Sequence, residues 1–238
     1  MAVSINIGWE RRIGMFPTSF DEEGLMHTDT YFGDYPHFAP AVPDEQGGFT
    51  GWMVLSYQKA VKASSSQSEF PASQAVDENV KTYWLAEAND NKQWLEVDLE
   101  NPATVYAIQL NFADHQAGLY GKVPGLRHRY WVEGSVDGQN WEVLIDRKNS
   151  YDDTPNDYVE LVTPKRLQYL RYYNVAVPTP NLAISGFRIF GRGEGEVPRS
   201  VNGFTVDRKA DCRDAQINWE ANGSVQGYNV PWGIAPDK

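Results

Sequence analysis

The chain predicts an all-β architecture: a two-sheet jelly roll of about eight strands, with shorter β segments at either end. Three observations point there. Apolar residues recur at every second position in several runs, and nowhere does a helical period persist. Aromatic residues make up 13% of the 238 residues, and 20 Gly and 14 Pro punctuate the runs as turns do. No uninterrupted apolar stretch reaches the roughly 18 residues that a spanning helix needs.

Charge narrows the partners. With 21 basic against 32 acidic residues the formal net charge is -11, a surface that repels phosphate backbones and anionic lipid. Nucleic acid and membrane are therefore not expected as partners, whereas a neutral polymer meets no such penalty. Cys212 is the single cysteine, so no intrachain disulfide can form and a catalytic thiol would lack the paired base it needs.

Along the chain, residues 9–17 and 20–26 read as two short strands joined by an acidic glycine turn. That turn holds Asp21, Glu22 and Glu23. Paired catalytic carboxyls face each other across about 5–10 Å, which three neighbours in one turn do not, so a solvated turn is the reading. His27 and His37 lack the His-x-x-x-His spacing of a metal site and read as surface or packing residues. Residues 47–51 form a Gly-rich hinge, and 52–57 a strand.

Ala75-Val76-Asp77-Glu78-Asn79-Val80-Lys81-Thr82-Tyr83-Trp84 is an acidic, turn-rich loop ending in aromatics. Gln93-Trp94-Leu95-Glu96-Val97-Asp98-Leu99 alternates, with Leu95, Val97 and Leu99 on one face, and is a strand. A second core strand covers 104–112, where Tyr106, Ile108, Leu110 and Phe112 recur in register. Residues 113–129 form a long Gly- and Pro-punctuated loop, of the kind that is more often functional than neutral.

A hairpin over 130–145 turns at Ser135-Val136-Asp137-Gly138-Gln139-Asn140-Trp141, where Asp-Gly supplies the positive φ of a tight turn. A second polar loop follows at 149–158, then strands at 159–162 and 169–175, a turn at 178–181 and a closing strand at 184–191. Beyond a glycine-rich linker at 191–196, three further short strands are read at 203–206, 215–220 and 227–233.

Three motifs in this order, Asp-x-x-x-x-Thr-x-Trp (Asp77, Thr82, Trp84), Trp-x-x-Val-Asp-Leu (Trp94, Val97, Asp98, Leu99) and Ser-x-Asp-Gly-x-x-Trp (Ser135 to Trp141), resemble the discoidin or coagulation-factor C-type domains. They are similar in particular to the family's bacterial branch, the family 32 carbohydrate-binding modules. Ile184-Ser185-Gly186-Phe187-Arg188-Ile189-Phe190-Gly191 looks like the closing strand, and the resemblance covers residues 50–192. Animal members usually carry a disulfide, and its absence here points to the bacterial branch.

The N-terminal segment, with Arg12-Ile13-Gly14-Met15-Phe16-Pro17 and Phe32-Gly33-Asp34-Tyr35-Pro36, resembles the propeller-closing part of family 43 glycoside hydrolases. The last segment resembles the opening strands of a fibronectin type III domain. Three strands cannot close that sandwich, so they are expected to borrow a surface.

The organisation implied is a glycosidase β-propeller remnant at 1–49, a discoidin-like carbohydrate-binding jelly-roll β-sandwich at 50–192, and a linker with an incomplete fibronectin type III-like segment at 193–238. The function implied is a non-catalytic module, with no catalytic residue of its own. It would target a secreted, periplasmic or cell-surface xylosidase- or arabinofuranosidase-like enzyme to a plant-type or host polysaccharide. Its partners are that glycan and the missing catalytic propeller. A spacer that orients the propeller without binding sugar is the alternative.

Sugar recognition needs planar polar groups for hydroxyls and an aromatic face for the C–H side. The 113–129 loop offers His115, Gln116, Tyr120 and Arg127, and the 149–158 loop offers Tyr151, Asp153 and Asn156. Tyr83 is read as an exposed contact, while Trp84 and Trp94 are read as packing residues. In the sugar-binding relatives the acidic loop wraps a structural calcium with backbone carbonyls together with an Asp and a Thr, and the resemblance gives Asp77 and Thr82 those two positions. The glutamate that completes the relatives' site is replaced here by Gly186.

Overall fold

The computed structural model describes residues 18–20, 24–28, 51–117, 125, 127–194, 201–211 and 214–221. Its backbone divides into one unit of residues 1–194 and another of residues 195–238. In the first unit β1 (Thr18–Phe20) and β2 (Met26–Thr28) form an antiparallel hairpin that pairs Phe20 with Met26. Where the sequence put a second strand at 20–26, the described strands are Thr18–Phe20 and Met26–Thr28. Asp21, Glu22, Glu23, His37 and residues 9–17 lie outside the described residues.

The body of this unit is one antiparallel hydrogen-bonded network of eight strands: β3 (Met53–Val54), β4 (Ala60–Ala63), β5 (Trp84–Leu85), β6 (Trp94–Phe112), β7 (Arg129–Ser135), β8 (Glu142–Asp146), β9 (Asn156–Ala176) and β10 (Ala183–Gly193). The order is β3-β10-β6-β9-β7-β8, with β4 beside β6 and β5 beside β10.

Two bent strands turn this network into a sandwich. The β6–β9 ladder breaks register between Asp98 and Ala103 and again between Val105 and Ala107. At the first break Glu100 takes φ of +68° and Pro102 lacks a ladder N–H, so the strand folds over. Before the bend β6 lies between β4 and the second half of β9; beyond it β6 lies between β10 and the first half of β9. Phe112 thereby returns against Tyr130 and Tyr172 of the other layer, with ring centroids 5.8 and 6.1 Å away. The sequence reads as separate strands what the structure makes into continuous β6 and β9, because Glu100-Asn101-Pro102 has the composition of a turn while the ladder resumes beyond it. Residues 52–57 likewise yield only the two-residue β3, and Gln58 at φ +54° turns the chain into β4.

The alternation sets the inside. Leu95, Val97, Val105, Leu110, Leu170 and Phe187 are wholly buried in one cluster drawn from both layers, each contributing about 1.5–3 kcal/mol by burial. On the opposite face of the β4-β6-β9-β7-β8 layer, Arg171 stacks between Trp141 (4.2 Å to the ring centroid) and Trp94 (5.4 Å). Its guanidinium also donates to Glu96, which is 9% exposed, and to the Tyr173 hydroxyl. Trp131 stacks on Tyr173 at 4.6 Å.

The β7–β8 turn is built on Asp137. Its carboxylate accepts the backbone N–H of Gln139 and Asn140, each at 2.8 Å, and the Asn140 amide at 2.7 Å, while Gly138 takes φ of +71°. These donors, the Asn140 N–H foremost, hold the Asp137 carboxyl well below the usual carboxylate range. A depressed folded-state pKa contributes stability that is present above the unfolded value, about 4, and is lost as pH falls. Asp137→Ala is therefore expected to lower the Tm at pH 7 and to approach the wild type as both are acidified below about pH 4, as thermal unfolding across a pH series would show.

The second unit contains β11 (Thr205–Arg208) and β12 (Ala215–Asn218), paired antiparallel from Thr205↔Asn218 to Arg208↔Ala215. They fall on the first two strands expected there. The third, at 227–233, and Cys212 lie outside the described residues.

Candidate functional site

Because β6 and β9 fold over, Phe112 at the end of β6, Arg129 at the start of β7, Asn156 at the start of β9 and Ala183 at the start of β10 arrive at the same end of the sandwich. The loops that sequence reading singled out leave from these points and meet there. Arg127 Nε donates to the Tyr151 carbonyl at 3.1 Å, and His128 Nδ1 lies 3.0 Å from Asp153 Oδ1. Asn111 donates to Asn156 Oδ1 at 2.7 Å, and Phe112 N–H bonds the Pro155 carbonyl at 2.8 Å. The loop that ends at Asn156 is thus fastened to both layers.

Below it Tyr130, fully buried, donates to Asp157 Oδ2 at 2.7 Å, and Arg147 Nε donates to the same oxygen at 3.0 Å. Burial, then the Asp157 carboxylate, pushes the Tyr130 hydroxyl far above its ordinary range. This phenol stays a neutral donor and serves as a rigid floor.

His115 is held on three sides. The Tyr83 hydroxyl is hydrogen-bonded to Nδ1 at 2.8 Å, Asn181 Nδ2 donates to the backbone oxygen at 3.2 Å, and Phe70 meets the ring edge-on at 5.1 Å. Tyr83, expected as an exposed contact, is half-buried: Phe70 covers it in a stack at 4.9 Å and its hydroxyl is engaged with His115. Desolvation raises its pKa. The alternation argument placed Tyr83 opposite Trp84 correctly but could not see Phe70 arriving from another loop. Gln116 is exposed and takes φ of +49°, a conformation in which a non-glycine residue is held by its surroundings.

Tyr151 is the most outward ring of the group, 91% exposed. Asp153 and Asn156, expected as ligand contacts, carry bonds to His128 and Asn111 that hold the loop. Tyr120 lies outside the described residues. Phe70 and Asn181 contact His115, and His128 lies by Asp153, contacts that the sequence did not point to. His128 was visible beside Arg127, but only the fold shows it 2% exposed under the loop, and Phe70 and Asn181 carry no local signal.

The acidic loop is where the resemblance implies a calcium. Asp77 Oδ1 accepts the Asn79 N–H at 2.9 Å, and Oδ2 accepts the Thr82 hydroxyl at 2.6 Å. Glu78 pairs instead with Arg188, and Gly186 offers no side-chain oxygen. Calcium takes six to eight oxygens, several from carboxylates. Among the described residues no group of three or more His, Cys, Asp or Glu side chains is placed to hold a metal. Asp77 and Thr82 already spend their side-chain oxygens on each other and on the Asn79 N–H, so an ion there would draw its remaining ligands from backbone carbonyls of the loop.

Comparison with known proteins places the fold. The F5/8 type C domain family matches residues 60–185, more than half of the chain. No curated protein sequence matches. Among solved structures, chitosan-binding module 1 from a chitosanase/glucanase of Paenibacillus sp. IK-5 is 24% identical, covering 58% of this chain and 99% of its own, with a TM-score of 0.49. Module 2 of the same enzyme, solved with chitotriose, is 20% identical over 58% and 99%, at 0.48. The family 32 carbohydrate-binding module of Clostridium perfringens NanJ, solved with galactose, is 16% identical over 58% and 97%, at 0.46. On the matched residues and the bent-strand sandwich that carries them, the chain belongs to the F5/8 type C, or discoidin, domain family.

Proposed function

We propose that this chain is a non-catalytic carbohydrate-binding module and that the loop end of the sandwich holds the glycan. The observation that carries the reading is the Arg127–Tyr151 contact, which brings the 113–129 and 149–158 loops together and leaves the Tyr151 ring exposed, on loops that also carry His115 and Gln116. The Tyr151 ring supplies an open aromatic face for the C–H side of a sugar. Arg127, Gln116 and the His115 Nε2, on the ring edge away from Tyr83, supply planar groups for its hydroxyls. The net charge of -11 suits a neutral or cationic polymer better than an anionic one.

The attachment of such a module to a secreted family 43-type xylosidase or arabinofuranosidase belongs to the same proposal and rests on the sequence resemblance of the N-terminal segment. A fibronectin type III-like C-terminal segment is proposed on the same footing. The spacer reading has one observation in its favour: Tyr83, Asp153 and Asn156 all engage partners within the domain.

A panel of plant, chitin-derived and host oligosaccharides separates the two. Saturable binding is expected, with Tyr151→Ala weakening it tenfold or more, about 1.4 kcal/mol, and leaving the Tm within about 1 °C because the ring is exposed. A folded protein that binds no glycan of the panel would establish the spacer instead.

A further inference from the structure

In this family's calcium-binding members, by the resemblance above, an ion ties the acidic loop to the closing strand; here a different bond spans the same two elements. Arg188 of β10 reaches Glu78 across 110 residues of sequence. Its Nε donates to Glu78 Oε1 at 3.0 Å and to Oε2 at 3.1 Å, and its Nη2 to Oε2 at 2.8 Å. Nη1 donates to Gln109 Oε1 of β6 at 3.1 Å, and the guanidinium lies 5.0 Å from the Phe190 ring centroid. The two side chains are 13% and 22% exposed, so salt and water screen them far less than a surface pair.

Three further features agree. Glu78 sits at φ +56°, a conformation that holds a non-glycine residue only where its surroundings fix it, and a fork of guanidinium bonds is such a fixture. Gly186 lies two residues before Arg188, so a side chain there would project from the same face of β10. Its Cβ would stand 2.7 Å from Asn111 Oδ1, and Asn111 in turn donates to Asn156. The place of the absent glutamate is thus filled by the amide that fastens the 150–156 loop. Finally, a permanent cation bound to the residue next to Asp77 works against a divalent ion at that carboxylate.

We propose that in this chain the Arg188–Glu78 ion pair, and not calcium, fastens the acidic loop to the closing strand, so that the folded domain is independent of divalent cations. The test uses the full chain. Its Tm is expected to stay within about 1 °C between excess chelator and millimolar calcium, with no saturable heat on calcium titration. Glu78→Gln and Arg188→Met are each expected to lower the Tm by about 5 °C or more. The swapped double variant Glu78→Arg/Arg188→Glu is expected to recover part of that loss. A calcium-dependent rise in the wild-type Tm, saturable calcium binding, or single variants as stable as the wild type would overturn the proposal.

Discussion

Replacing Trp84 by alanine is expected to remove about 4 kcal/mol of stability and to lower the Tm by roughly 8–16 °C. The ring is wholly buried in the main cluster, so truncation leaves a large cavity that the two layers cannot close without breaking their ladders. Its Nε1 donates to the Ser65 carbonyl at 2.9 Å and lies 3.0 Å from Ser66 Oγ, so the loop after β4 loses its anchor as well. Phe70, which stacks on Tyr83 and touches His115, belongs to that loop. Trp84→Phe keeps most of the apolar contact and loses only the polar anchor, and its cost is expected to be less than half as large. Thermal unfolding followed by near-UV circular dichroism measures both.

Arg171→Ala is expected to cost about 3 kcal/mol, a value that combines an orphaned carboxylate with two lost ring contacts. Glu96 is 9% exposed and accepts from Arg171, so removing the cation strands a buried charge. The same change unstacks Trp141 and Trp94, which hold the β7–β8 turn against the outer face. Arg171→Lys is expected to keep little of this, because a point charge cannot both fork to a carboxylate and lie flat between two indoles. Denaturant unfolding of the two variants beside Glu96→Gln separates the charge from the stacking: full recovery of stability in Arg171→Lys would show that charge alone matters.

The motif carrying Trp94, Val97 and Leu99 placed a core strand correctly because alternation is a local property of the chain. The Ser135–Trp141 motif placed the hairpin turn for a similar reason: Asp137 satisfies its own neighbours' N–H groups, so the turn is written in contiguous residues. What was not legible is the fold-over of β6 and β9. Glu100-Asn101-Pro102 has the composition of a loop, and only cross-strand pairing shows that the ladder resumes at Ala103.

The candidate site divides along the same line. His115, Gln116, Arg127 and Tyr151 stand out in the sequence because residues of the right chemistry crowd into two polar loops. Tyr83 was assigned to solvent because period-2 alternation says which side a residue faces, not what comes to cover it. Phe70 and Asn181 lie in other loops and join His115 only through the closed sandwich. Glu78 and Arg188, 110 residues apart, are unremarkable charges until β10 brings them together.

The loop end of the sandwich is expected to hold the glycan. Amide chemical shifts of the full chain, followed during titration with the best-bound oligosaccharide of a glycan panel, locate the site residue by residue. Saturating shifts are expected at His115, Gln116, Arg127 and Tyr151, with Trp131 and Tyr173 on the outer sheet face unmoved. Shifts confined to that outer face, or no saturable shift with any glycan, would contradict the assignment.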